Sequence, residues 1–170
     1  LERVGVSPAT FDYAKLDWMN GVYLRELAAD AYAETLVGFV RERGIGWDEA
    51  RVREAAPLVQ EKIGRLGEFP GFAGFLFHEV EPDPEQLDRV ILTAAAAALE
   101  TVAAWSAADL EAALKGLCDD LGQKPRQVFG PIRVAVTGSR ISPGLYESLE
   151  LLGRDVALDR LRRGAELAAA

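Results

Sequence analysis

Cysteine and histidine are almost missing from this chain: Cys118 and His78 are the only two among 170 residues. A disulfide framework needs a cysteine pair and a structural zinc site needs four Cys or His ligands, so both are excluded. A lone cysteine fits a reducing compartment, and a cytoplasmic location is expected. A Ser–His–Asp triad would have to recruit His78, which follows the apolar run Phe75-Leu76-Phe77 and reads as a structural residue. No apolar run reaches the roughly 18 residues of a membrane helix. No charged segment leading into an apolar stretch opens the sequence, so no signal peptide is expected. The sequence starts at Leu1 and reads as a piece of a longer protein. Phosphate-cradling P-loops and HExxH helices are absent. The acidic pairs Asp119-Asp120 and Glu79/Glu81 read as solvated faces, not as metal or glycosidase centres. No catalytic residue and no metal ligand is expected.

Apolar residues make up 49% of the chain, enough for one domain or two small helical lobes. The net charge of −8 argues against wholesale nucleic-acid binding, whose usual footprint is basic. The charge is uneven, however. From Leu121 to Tyr146 there are four basic residues, Lys124, Arg126, Arg133 and Arg140, and no acid, which leaves fifteen basic against twenty-seven acidic residues elsewhere. A basic island on an acidic body can position a phosphate backbone locally.

The apolar pattern is helical almost throughout. Leu16, Met19, Tyr23 and Leu27 recur at three- and four-residue steps. Asp30 is expected to cap a helix running to Arg43, with Gly44 past its end, and Asp48 to cap the next. The stripe Val52, Ala55, Val59, Ile63 and Leu66 gives that helix its buried face. The prolines of Glu81-Pro82-Asp83-Pro84 stop a helix and divide the chain into lobes of residues 1–82 and 83–170. Asp83 is expected to cap the following helix, with Pro84 at its first position and Leu87, Val90, Ile91, Ala94, Ala98 and Val102 on one face. Ser106 with Asp109 resembles a capping box, Leu110 to Leu121 form a stripe, and Gly122 ends it. The last part runs from Pro143 to Leu152, Gly153 breaks it, and a terminal helix carries Leu158 and Leu161. Trp18 and Trp47 are expected in the core. Only Ile132–Val136 hints at a strand, and no internal repeat is present. The expected fold is all-α, two packed helical lobes.

The run Arg133 to Arg140, RVAVTGSR, mimics a strand entering a nucleotide-binding glycine loop. The tight turn there needs glycines where this chain has Ser142 and Pro143, and too few residues follow for further βα units. A dinucleotide site is not expected.

Four stretches fall in a specific order: FDYAKLDWMNGVYLR from Phe11 to Arg25, RLGEFP from Arg65 to Pro70, PIRVAVTGS from Pro131 to Ser139, and LLGR from Leu151 to Arg154. Together they resemble the C-terminal, anticodon-binding half of bacterial glutamyl-tRNA synthetases, along essentially the whole chain. The resemblance implies a pair of helical lobes that hold the anticodon end of tRNA(Glu) for ATP- and magnesium-dependent glutamylation. The HIGH-like and KMSKS-like signatures that bind ATP are not in the sequence, so this stretch is expected to be inactive by itself and to need no cofactor of its own. The arginine that reads the anticodon falls on Arg133. The loop and helix start that hold anticodon bases fall on Ser142, Pro143, Leu145 and Tyr146, with serine in place of a threonine. The arginine that rejects tRNA(Gln) in some members falls on Lys62, a single mobile ammonium where a planar fork is usual, which leaves tRNA(Gln) as a second candidate partner. Lys124, Arg126 and Arg140 are expected on phosphates. A monomer is expected, without DNA or membrane partners. The competing reading from charge alone is an acidic helical protein-interaction module with no tRNA role.

Overall fold

The computed structural model describes residues 13–168. Among these the chain is helical throughout, without a strand. Phe11 and Asp12, which open the first quoted stretch, lie outside the described residues.

Helix α1 (Tyr13–Glu26) leads into α2 (Ala29–Glu42) and α3 (Glu49–Val59). The last two pack along each other through Tyr32, Leu36, Val37 and Val40 of α2 and Val52, Ala55, Ala56 and Val59 of α3. Asp48 caps α3 as expected, accepting from the Arg51 N–H at 2.9 Å. Asp30 does not cap α2: the cap position is Ala28, with no side-chain bond, and Asp30 lies in the first turn, where its charge still favours the helix N-terminus. A one-turn 3-10 helix (Leu66–Glu68), the short α4 (Phe69–Ala73) and a second 3-10 turn (Gly74–Leu76) follow. They bring Phe69 and Phe77 onto Trp47, which stacks on Phe77 at 4.1 Å and meets Phe69 edge-on at 5.6 Å.

Asp83 caps only the single 3-10 turn Pro84–Gln86. The expected helix begins later, as α5 (Arg89–Glu100), capped by Asp88 through the Ile91 N–H at 3.0 Å. Its buried face is Ile91, Leu92, Ala95, Ala96 and Leu99, and Val90 is 68% exposed. The alanine run carries no apolar contrast, which is why its sequence placed the face one position off. Ser106 caps α6 (Ala107–Leu121), and Gly122 closes it at φ +60°. The strand-like run Ile132–Val136 lies inside α7 (Pro125–Thr137), which begins with proline at its first position and ends at Gly138, φ +72°. Helices α8 (Leu145–Leu152) and α9 (Arg154–Leu167) turn about Gly153, φ +84°. Helix α5 packs along α9, and α7 packs on both.

One cluster of buried apolar residues runs from Leu24 to Ala165 without a gap at residue 82. Arginines reinforce it by donating to backbone carbonyls. Arg51 reaches the Leu76 carbonyl at 3.2 Å and the Leu151 carbonyl at 2.7 Å, and Arg163 reaches the Val80 carbonyl at 2.9 Å.

Trp18 is not in the core: it is 65% exposed on α1, together with Leu16, Met19 and Tyr23. Of the expected stripe only Leu27, just past the end of α1, packs against the core. Gly21 and Leu24 are the buried positions.

Candidate nucleic-acid interface

Helix α7 carries the centre of the basic island. Lys124 stands at its cap position, exposed, with its backbone N–H donating to Gln127 Oε1 at 3.2 Å. Buried Val128 and Ile132 fix the orientation of the helix. Arg126, Phe129 and Arg133 then fall at three- and four-residue steps, along one strip of the surface. All three line a cleft of about 660 Å³, which Arg140 joins from the segment after α7. The opposite side is Glu85 to Asp88, the turn before α5.

Arg133 is half-buried. Its Nη1 donates to the Pro143 carbonyl at 2.7 Å and to the Ser142 hydroxyl. Among the described residues its Nε and Nη2 make no hydrogen bond. Desolvation lowers the pKa of this guanidinium, against the attraction of Tyr146 and Glu147, and it stays charged at neutral pH. Thr137 ties down the end of α7, since its hydroxyl reaches the Arg133 carbonyl at 2.8 Å and the Ser139 carbonyl at 3.0 Å.

Of the predicted residues, Arg126, Arg133 and Arg140 line the cleft, and Lys124, Ser142, Pro143, Leu145, Tyr146 and Lys62 do not. Arg133, Ser142 and Pro143 are in direct contact, with Tyr146 beside them on the first turn of α8. Tyr146 packs edge-on against Phe129 at 5.9 Å, and burial raises its hydroxyl pKa. Pro143 and Leu145 are buried and leave little side chain for a ligand. Lys62 is elsewhere, exposed on the turn after α3, and does not line the cleft. Glu85, Gln86 and Asp88 line the cleft without any sequence signal that marks them for it. Nothing local marks them, because they meet α7 only through the tertiary fold. The described residues contain no cluster of three metal-ligating side chains.

An all-helical body with a cleft lined by three arginines and Phe129 fits a class: a helical domain suited to single-stranded nucleic acid. The family model described as the anticodon binding domain matches residues 23–165, and the chain belongs to that family. This membership replaces the reading as an acidic protein-interaction module. The chain is 45% identical over 183 residues to a glutamate–tRNA ligase of Acidothermus cellulolyticus, covering 98% of this chain and 36% of that protein. It is 45% identical over 176 residues to a glutamate–tRNA ligase of Saccharopolyspora erythraea, covering 94% and 35%. The chain thus spans about a third of the length of the curated relatives it matches. Among solved structures, a glutamate tRNA ligase from Elizabethkingia meningosepticum in complex with its amino acid superposes with a TM-score of 0.76 at 18% identity, over 92% of this chain and 32% of that one. The glutamate–tRNA synthetase of Elizabethkingia anophelis gives 0.78 at the same identity and coverage. These two likenesses concern the fold alone.

Proposed function

We propose that this chain is the anticodon-binding part of a glutamate–tRNA ligase. It holds the anticodon loop of tRNA(Glu) while the rest of the enzyme, with ATP and magnesium, attaches glutamate to the tRNA. The observation that carries this reading is the convergence of Arg126, Arg133 and Arg140 on one cleft in a member of the anticodon-binding family. Anticodon bases are unstacked, so they accept hydrogen bonds at their edges and stack on guanidinium or aromatic planes. Arg133 reads a base edge with its unengaged Nε and Nη2. Ser142, Pro143, Leu145 and Tyr146 shape the loop and helix start beside it. Lys124, Arg126 and Arg140 take phosphates.

Residues 1–82 act as the lobe nearer the rest of the enzyme and residues 83–170 as the anticodon lobe. Lys62, on the first lobe, sets whether tRNA(Gln) is also admitted. The working form is a cytoplasmic monomer.

The test is a titration of this chain with the anticodon stem-loop of tRNA(Glu) at two salt concentrations, beside loops with the third base or all three bases replaced. Binding is expected to weaken with salt, through counterion release, and to be lost when all three bases change. Arg133→Ala is expected to cost about 1–3 kcal/mol of binding. Equal affinity for every loop would refute anticodon reading.

A further inference from the structure

The cleft has two walls, and only one belongs to the basic island. Gln86 stands where the other wall, the turn before α5, meets Arg140. Its Oε1 accepts from Arg140 Nε at 2.7 Å, and its Nε2 donates to Asp83 Oδ2 at 2.6 Å. Only one orientation of the amide serves both, since a carboxylate solely accepts and a guanidinium solely donates. Asp83 is itself anchored, because its Oδ1 accepts from the Glu85 N–H at 3.1 Å. Pro84 adds a fixed φ to the same turn. A chain of hydrogen bonds therefore starts at the Pro-Asp-Pro turn between the halves of the molecule and ends on a guanidinium at the mouth of the cleft.

Arg140 is exposed, in the segment between Gly138 and Gly144 that joins α7 to α8. Hydrogen bonds between groups this exposed add little to stability. What Gln86 supplies is direction. With Nε spent on the amide, the two Nη groups of Arg140 remain for a pair of phosphate oxygens.

We infer that Gln86 is a positioning residue of the anticodon site: it aims Arg140 at a phosphate of the bound loop and makes the 83–88 turn part of the RNA-binding cleft. The inference rests on the anticodon-binding reading above.

The test is a double-mutant cycle of Gln86→Met and Arg140→Ala, read as affinity for the tRNA(Glu) anticodon stem-loop at two salt concentrations. Methionine keeps the side-chain volume and removes both hydrogen bonds. Gln86→Met is expected to weaken binding about two- to fivefold in the parent chain. Arg140→Ala is expected to lower the salt slope by about one unit, as the loss of one phosphate contact does. In the Arg140→Ala background, Gln86→Met is expected to change nothing. Equal effects in both backgrounds would overturn the inference, as would no effect in the parent. If the parent chain binds no stem-loop, the anticodon-binding reading falls and takes the inference with it. If it binds and responds to Arg140→Ala but not to Gln86→Met, the inference alone falls. Hydrogen exchange of the Arg140 Nε–H gives an RNA-free check: exchange about two- to fivefold slower in the parent than in Gln86→Met is expected, and equal rates would overturn the anchoring.

Discussion

Arg160 is 5% exposed, and among the described residues it has no carboxylate partner. Its Nη1 donates to the Phe75 carbonyl at 2.9 Å and the Val136 carbonyl at 2.7 Å, and its Nη2 to the His78 carbonyl at 2.9 Å. Desolvation lowers its pKa, yet an arginine stays protonated at any pH the fold survives. Three backbone carbonyls from two segments depend on this one side chain. Arg160→Met is therefore expected to cost about 3 kcal/mol in urea unfolding, because it strands buried acceptors. Tyr32 is the reverse case. Its ring is fully buried and its hydroxyl has no partner among the described residues, so Tyr32→Phe is expected to be neutral or to stabilise by up to about 1 kcal/mol. Burial raises the Tyr32 pKa from 10.0 to about 12. The unfolded chain releases that proton first, so the stability the neutral ring contributes is intact below 10.0 and is lost as pH rises through about 12. The urea midpoint of Tyr32→Phe is expected to fall less than the parent's across that window. Parallel curves would show that the hydroxyl is hydrated.

At the scale of elements, Gly122 and Gly138 both end helices in the left-handed region. A side chain at Gly122 would meet nothing within 4 Å, whereas one at Gly138 would lie 3.2 Å from the Val80 Cβ. Gly122→Ala is expected to cost about 1 kcal/mol, the backbone penalty alone. Gly138→Ala is expected to cost more, since Val80 must also give way; equal melting losses would mean that Val80 moves freely. The caps at Asp48 and Ser106 and the stop at Gly122 were legible in the sequence because each depends on four or five consecutive residues. Helix α7 was not. Val134, Ala135, Val136 and Thr137 are all buried, so the helix hides more than one face and its apolar period disappears into a strand-like run. The α5 start was misplaced because Asp83 and Asp88 both make good caps, and only packing selects between them. On α1 the periodicity was plain but says nothing about what the face meets. In the candidate site, Arg133 and its loop were legible through a resemblance, while the Glu85–Asp88 wall depends on contacts some fifty residues apart, such as the bond from Arg140 to Gln86.

At the scale of the molecule, the described residues of both expected lobes share one buried cluster. Trp47 reports on the first half and Trp105, whose Nε1 donates to the Leu149 carbonyl at 2.9 Å, on the second. In a Trp18→Phe background, two chains each keeping one of these tryptophans are expected to unfold in urea at the same midpoint. Separate midpoints would mean that the halves fold independently. Recognition at this scale depends on what is settled before RNA arrives. The Arg133 side chain is already held by Ser142 and Pro143. A free arginine forfeits about 2 kcal/mol of rotamer entropy when it is fixed, and here most of that is surrendered during folding. Under the proposed function, affinity at the cleft is therefore limited less by freezing the protein than by freezing the RNA loop. Nucleotides that stiffen the loop in its bound shape should tighten binding, even where they touch no residue of the chain.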